Sequence, residues 1–334
     1  MVNSFEYNKV THSIVSCNLC GLKDFNIVSK KDRYNFPERS VICISCGLIY
    51  INPRMSARNY NDFYETGFYR GLVPIYIKKQ NLGPSLDEIF DSEEKFGDAL
   101  LLRIKSYLSK GLVIEIGSAV GGILASFQKE LGSMVLGLEP SRVEAEYATL
   151  RGIPTRIGLF EDVDIESDRP GNILSIQSLN HFLDPKKFFI WAYNSLSNDG
   201  RLVLVVQNFL TLARKIGSIH GATQIDHVYM FTPLSLRNFI ESAGFEILLF
   251  EDWDTDEYTK IGLSSHHMAI VARKIEVTPF TPLVISYQSY EKTRYDILKI
   301  RFYCAFIYPI KKVYRTVKKK LLKQFRRFAP NASC

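Results

Sequence analysis

The segment that most constrains the fold is Leu112-Val-Ile-Glu-Ile-Gly-Ser-Ala-Val-Gly-Gly122, an apolar strand pattern that passes through an acid into a loop of small residues and a helix start. The next apolar run, Met134-Val-Leu-Gly-Leu138, ends in Glu139, placing a second carboxylate at the tip of a neighbouring strand. A strand, a small-residue turn and a helix start let a ligand approach the backbone closely, and an acid at the adjacent strand end can grip two ribose hydroxyls. A nucleoside-type ligand is expected. A dinucleotide fingerprint needs glycines as G-x-G-x-x-G, whereas Gly117, Gly121 and Gly122 are spaced otherwise and Ala119 takes the middle place, which disfavours pyrophosphate.

From 111 to 275 strand-like segments fall at 112–116, 134–138, 154–157, 172–177, 201–206, 246–251 and 267–273, with helix starts near 121, 141, 185 and 234. This alternation predicts an α/β fold with a parallel sheet covered on both faces. The linker from Asp252 to Ser265 shows no helical pattern, which suits an antiparallel final hairpin. Ahead of this domain, residues 56–110 read as a helical connector or lid, with an aromatic stretch over 59–70 and a helix from about Ser85 to Leu108. Tyr64 and Tyr69 in that stretch are candidates to stack on a sugar or nucleotide face, against the plainer expectation of core packing.

Residues 1–55 contain Cys17-x-x-Cys20 and Cys43-x-x-Cys46. Two such knuckles about two dozen residues apart match a structural four-cysteine zinc site, since each supplies two thiolates to one half of a tetrahedron. All four ligands are then consumed, so the Zn2+ builds structure and leaves no open position for chemistry. Short β-branched strands at Val41–Ile44 and Leu48–Ile51 complete a zinc ribbon too small to hold itself together without metal.

The net charge of +7 is unevenly spread: residues 291–334 carry thirteen Lys/Arg against two acids, leaving the rest mildly acidic. The main body therefore does not advertise nucleic-acid binding. In the tail, residues 276–334, Val313, Val317, Leu321, Phe325 and Phe328 recur at helical spacing among nine Lys/Arg between 311 and 328. A basic amphipathic helix of this kind can lie in an anionic membrane surface, or pack on the main domain or a second subunit. No run approaches the roughly eighteen apolar residues of a membrane span, and Met1-Val-Asn-Ser-Phe-Glu-Tyr lacks a signal-peptide pattern. A cytoplasmic location is expected, with the tail permitting peripheral attachment at the inner face of the membrane.

Several further segments join the glycine loop in a resemblance to one family. Glu115 before Gly117 resembles motif I of the class I S-adenosylmethionine (SAM) dependent methyltransferases, and Gly-Leu-Glu139-Pro-Ser resembles their ribose-binding strand end. Asn172-Ile-Leu-Ser-Ile-Gln-Ser-Leu-Asn-His181-Phe-Leu-Asp-Pro185 looks like their fourth-strand motif, and Ser197-Asn-Asp-Gly200 like the turn before the fifth strand. Asp226-His227-Val-Tyr229 and Ala243-Gly-Phe-Glu resemble the family's segments beyond that strand, while Asp32-Arg-Tyr through Asn-Pro-Arg54 looks like the zinc-binding domain fused to many bacterial sugar methyltransferases of surface-polysaccharide biosynthesis.

The resemblance implies a Rossmann-like seven-stranded sheet with an antiparallel last strand, and SAM as cofactor. By it Gly117, Ser118, Ala119 and Gly121 would surround the methionine part, with Glu115 ordering the loop. Glu139 would hold the ribose hydroxyls, while Phe160, Glu161 and Asp162 would meet the adenine and Gln177 would stand at the fourth-strand exit of the cofactor site. Ala119 replaces a usual glycine and Asn180 a usual glutamate. His227 is the expected base for a hydroxyl or a carbon beside a ketone, with His181 and Tyr229 lining the acceptor site. The implied acceptor is a nucleotide-linked or lipid-linked sugar. Two other readings are an RNA methyltransferase that uses the ribbon and tail, weakened because no Asn/Asp-Pro-Pro-aromatic motif stands after the fourth strand, and a non-catalytic scaffold of the same fold at the membrane.

Overall fold

The computed structural model describes residues 7–65, 84–163, 165, 169–281, 287–314 and 316–318. The amino-terminal strands are β1 (His12–Ser13), β2 (Phe25–Ser29), β3 (Ser40–Cys43), β4 (Ile49–Ile51) and β5 (Arg54–Met55). Each cysteine knuckle ends in a glycine at positive φ, Gly21 at 78° and Gly47 at 74°. The turns close as Gly21 N–H donates to the Cys17 carbonyl at 2.8 Å and Gly47 N–H to the Cys43 carbonyl at 3.0 Å. Two helices come next, α1 (Ala57–Glu65) and α2 (Leu86–Ile104), the second started by a capping box between Ser85 and Glu88.

Strands and helices then alternate as expected: β6 (Val113–Ile116), α3 (Gly122–Leu131), β7 (Val135–Glu139), α4 (Arg142–Leu150), β8 (Thr155–Ile157), β9 (Asn172–Ile176), α5 (Pro185–Ser195) and β10 (Arg201–Gln207). After α6 (Phe209–Ile216) and the short β11 (Tyr229–Met230) come α7 (Pro233–Ser242), β12 (Phe245–Asp252), α8 (Glu257–Lys260), β13 (His267–Lys274) and α9 (Tyr287–Phe302). Seven strands form one sheet in the order β12-β13-β10-β9-β6-β7-β8. Pairing is parallel from β10 through β8, and β13 runs antiparallel to both β10 and β12. This is the Rossmann-like methyltransferase sheet with its inserted antiparallel strand.

Both faces are dry, because successive residues of a strand point to opposite sides. Ile114, Leu136, Ile173 and Leu204 pack towards α5, α7 and the ribbon, while Val113, Val135, Leu174 and Val203 pack towards α2 and α3. The linker between β12 and β13 contains the four-residue α8, a helix too short to show periodicity in the sequence.

The ribbon is joined to this domain by hydrogen-bonded backbone. Its sheet has the order β11-β4-β3-β2, so a strand from the far half of the chain completes it, with Tyr229 opposite Tyr50 and Met230 opposite Ile49. The buried Asp32 adds a second tie: one oxygen accepts from Tyr34 N and Phe36 N and the other from Ile225 N, each at 2.9 Å. On the ribbon's other side lies α9, whose Tyr290 hydroxyl accepts from Asn26 Nδ2 at 2.8 Å, while Arg301 donates to the Val28 carbonyl at 2.9 Å.

A close helix contact sits where α2 crosses the start of α3. A methyl placed on Gly122 would meet the Phe90 carbonyl and, at 2.6 Å, the Glu93 Cβ. Overpacking at a rigid backbone contact costs about 1–3 kcal/mol. Gly122→Ala is expected to lose stability in that range in urea denaturation, and a melt unchanged from wild type would refute the contact.

Candidate active site

The sheet reverses its winding between β6 and β9, and in open α/β sheets ligands bind at the carboxyl ends of strands at such a switch point. A cavity of about 640 Å³ opens there, a volume typical of small-ligand sites. Glu115, Gly117, Ser118 and Ala119 line it from β6 and its loop, Glu139 from β7, Phe160 and Glu161 from the exit of β8, and Gln177 and His181 from the exit of β9. Tyr60, Ser92, Glu93 and Phe96 of α1 and α2 close the opposite side. Gly121 and Asp162 are not among the lining residues. Gly121 is instead the amino-terminal cap of α3, with φ 84°. Tyr69 and the side chain of Tyr64 lie outside the described residues.

The loop is held by the neighbouring strand end. Gly117 N–H donates to the Leu138 carbonyl at 2.8 Å, and Glu139 accepts from Ala119 N at 2.9 Å through one oxygen and from Ser141 N at 2.8 Å through the other. Ala119 has φ 46°, in the left-handed region, where a Cβ costs roughly 1–2 kcal/mol relative to glycine. The alanine is thus accommodated, with strain, at the position where the family usually carries glycine. Gln177 shares this conformation at φ 58°, so two non-glycine residues on the cavity wall are held in sparsely populated backbone.

Glu93, Glu115, Glu139, Glu144, Glu161 and Asp184 line the cavity. Glu115 is fully buried, and burial, with Glu93 and then Glu139 nearby, pushes its pKa well above the ordinary carboxylate range. Its Oε2 and the Ser118 Oγ are buried without a hydrogen-bond partner among the described residues. Glu161 is raised chiefly by burial, with Lys187 at 3.8 Å opposing the shift. An acid-lined cavity with buried acceptors suits a ligand carrying positive charge and hydroxyl donors. SAM, with a sulfonium, an ammonium and two ribose hydroxyls, fits this donor and acceptor set. Phe160 offers it an apolar wall, itself wedged among Phe182, Phe188 and Trp191 at centroid distances of 5.4–5.6 Å.

At the other end of the cavity His181 Nδ1 lies 2.9 Å from the Asp226 carbonyl. A carbonyl only accepts, so Nδ1 is the donor in this contact. The His227 ring stands edge-on to His181 at 4.7 Å and does not line the cavity, being held by Gln224 at 3.1 Å. Burial, followed by the charge of His181, keeps its imidazole well below the usual range. Side-chain atoms of His181, Asp226 and His227 all come within 4.8 Å of one another. Tyr229 does not line the cavity either: it is buried, accepts from Arg54 at 3.0 Å and donates to the Leu183 carbonyl at 3.3 Å. Asn180 donates to the Tyr229 carbonyl at 2.9 Å, a bond that a glutamate carboxylate would be unable to make.

Cys17, Cys20, Cys43 and Cys46 form one cluster, with all sulfurs within 4.8 Å and no disulfide between them. Cys17 Sγ lies 3.4 Å from Cys46 Sγ, and Cys20 Sγ 3.5 Å from Cys43 Sγ. Zn–S bonds of about 2.3 Å imply tetrahedral edges of about 3.8 Å, so small outward shifts would admit the ion. Crowding drives the Cys43 thiol pKa down and those of Cys17 and Cys46 up, each chiefly through its neighbouring thiols. The cluster is able to chelate a metal.

Residues 92–249, which build most of this cavity, match the family described as "Methyltransferase domain". No curated protein matches the chain. Among solved structures, the chain is similar to a SAM-dependent methyltransferase from Clostridium acetobutylicum at 11% identity, covering 64% of this chain and 98% of that one with a TM-score of 0.44. It is likewise similar to a SAM-dependent methyltransferase from Mesorhizobium loti, at 16% identity over 53% of this chain and 98% of that one, TM-score 0.43. A third is geranyl diphosphate C-methyltransferase from Streptomyces coelicolor, at 13% identity over 53% and 77%, TM-score 0.42.

Two outcomes are expected of the cavity and the cysteine cluster. Glu139→Ala, which removes a charge-assisted acceptor worth about 1.5–3 kcal/mol, should weaken SAM binding by about tenfold to a hundredfold in calorimetric titration. Stripping metal with a strong chelator should lower the thermal midpoint, and Cys43→Ser should reproduce that loss without chelator. A metal-free preparation as stable as the untreated one would show that the cluster is not a structural metal site.

Proposed function

We propose that this methyltransferase transfers the methyl group of SAM to a hydroxyl, or to a carbon beside a ketone, of a nucleotide-linked or lipid-linked sugar in polysaccharide biosynthesis, with zinc in the four-cysteine cluster as a structural ion. The observation that carries the reading is the pair of imidazoles at one end of an acid-lined cavity, one of them on the wall with its Nδ1 engaged by the Asp226 carbonyl. SAM supplies an already activated electrophilic methyl, so the protein's task is to align the acceptor and remove its proton.

In this reading His181 takes the proton at Nε2, its orientation set by the Asp226 carbonyl, and His227 supports it from behind. That arrangement differs from the expectation that His227 itself meets the acceptor. Asp184, Ser264 and Asn61 at the cavity give the site polar groups suited to a polyol. The sugar is supported by the likeness of the Asp32–Arg54 block to the zinc-binding domain fused to many bacterial sugar methyltransferases. Incubation with labelled SAM and a panel of nucleotide sugars and polyprenyl-linked saccharides, followed by mass mapping of the product, tests it. Transfer to RNA instead would replace the acceptor, and absence of SAM binding would leave a scaffold.

His181→Asn should lower kcat by about a hundredfold or more, as loss of a general base does, while SAM affinity stays put. Equal single-turnover rates would remove His181 from the chemistry. For His227 the sign is set by its lowered pKa. The folded state favours the neutral ring, so its contribution to stability is complete above the unfolded value of 6.5 and is lost as the pH falls through the folded value. The protein should accordingly lose stability as the pH falls below 6.5, and His227→Asn should flatten that loss in thermal melts taken across the pH range.

A further inference from the structure

We propose that the outer face of the carboxy-terminal helix is a docking surface for an anionic lipid bilayer. This goes beyond the methyl-transfer reading and does not depend on the acceptor. The inner face of α9 is occupied: Ser289, Tyr290, Thr293, Ile297 and Ile300 are buried against the ribbon and neighbouring helices. The contact is close, because a methyl on Gly47 in the second cysteine knuckle would meet the Ser289 carbonyl at 2.7 Å.

The helix continues through a π-helical turn at Tyr303–Ile307 into further helix that includes 308–314. Along its outer side Leu298, Phe302, Phe306, Ile310, Val313 and Val317 recur three or four residues apart, with exposures from 47% to 71%. Residues at that spacing share one helix face. A continuous apolar stripe of this length left in water marks an interaction surface.

Charge selects its occupant. Residues 291–334 carry +11 while the rest of the chain is net acidic, so positive charge is concentrated on the segment that bears the stripe. An apolar stripe with flanking cations matches an interfacial helix at an anionic membrane. A second copy would bring two such tails together against their own repulsion, and nucleic acid would leave the stripe wet. Among the described residues no helix is long and apolar enough to cross a membrane, so the contact would be lateral. The surface begins at Leu298, well before the 311–328 segment singled out in the sequence, and residues 319–328 lie outside the described residues.

The test is co-sedimentation of the full chain with vesicles of phosphatidylcholine alone and of equimolar phosphatidylcholine and phosphatidylglycerol. Binding is expected only with the anionic vesicles. Lys311→Gln and Lys312→Gln should each weaken it by roughly fivefold, and the double variant Phe306→Ser/Ile310→Ser by at least about tenfold. SAM titration and thermal melting of these variants should match wild type, which separates lost docking from lost folding or lost catalysis. Equal binding to neutral vesicles, binding to neither, a stripe variant that changes only the monomer–dimer equilibrium, or salt-sensitive RNA retention without vesicle binding would each overturn the proposal.

Discussion

The structure turns on one hydrogen-bonded seam, the line where residues 225–230 meet the four-cysteine ribbon. The Asp32 carboxylate takes the Ile225 N–H, the Tyr229 strand pairs with Tyr50, and Asn180 takes the Tyr229 carbonyl from the sheet side. Asp226 and His227 lie between these ties, and the Asp226 carbonyl in turn orients His181. The ribbon is therefore part of the frame that aims the imidazole at the cavity. Burial lifts the Asp32 carboxyl to about 6, yet its three N–H donors hold it in place, so the seam rests on a buried acid fully engaged by backbone.

Much of this was legible because strong periodicity marks strands that are buried on both faces. The runs around Val113, Val135 and Leu202 sit within a residue or so of their observed bounds. The acid positions were legible too, since Glu115 and Glu139 end or interrupt apolar runs where only a ligand or a structural bond would tolerate them. What escaped the sequence has short or non-local causes. Tyr229–Met230 is a two-residue strand whose partner lies far away in the chain, so no local pattern announces it. The helix α9 buries Ser289 and Thr293 alongside Ile297, a polar inner face that reads as surface. Asn180 looked like a departure from the family pattern until the Tyr229 carbonyl supplied its partner.

The cavity wall also shows how a site can be well defined in geometry and costly in conformation. Ala119 and Gln177 both hold left-handed backbone, and Glu115 stays buried with two other acids near it. These costs are offset by the close-packed sheet beneath and by the backbone bonds that Glu139 makes to Ala119 and Ser141. A cationic ligand entering the cavity would relieve the carboxylate crowding without moving the loop.

The pairing of Tyr229 with Tyr50 has a consequence for how the chain comes to be made. The cysteine knuckles leave the ribosome well before the edge strand that completes their sheet, because Tyr229 lies far downstream of Tyr50. Contacts of such sequence separation form late, because the intervening loop must be closed before they repay its entropy. The nascent ribbon must therefore wait with an open β-edge for a distant strand, and the same late event assembles the histidine pair.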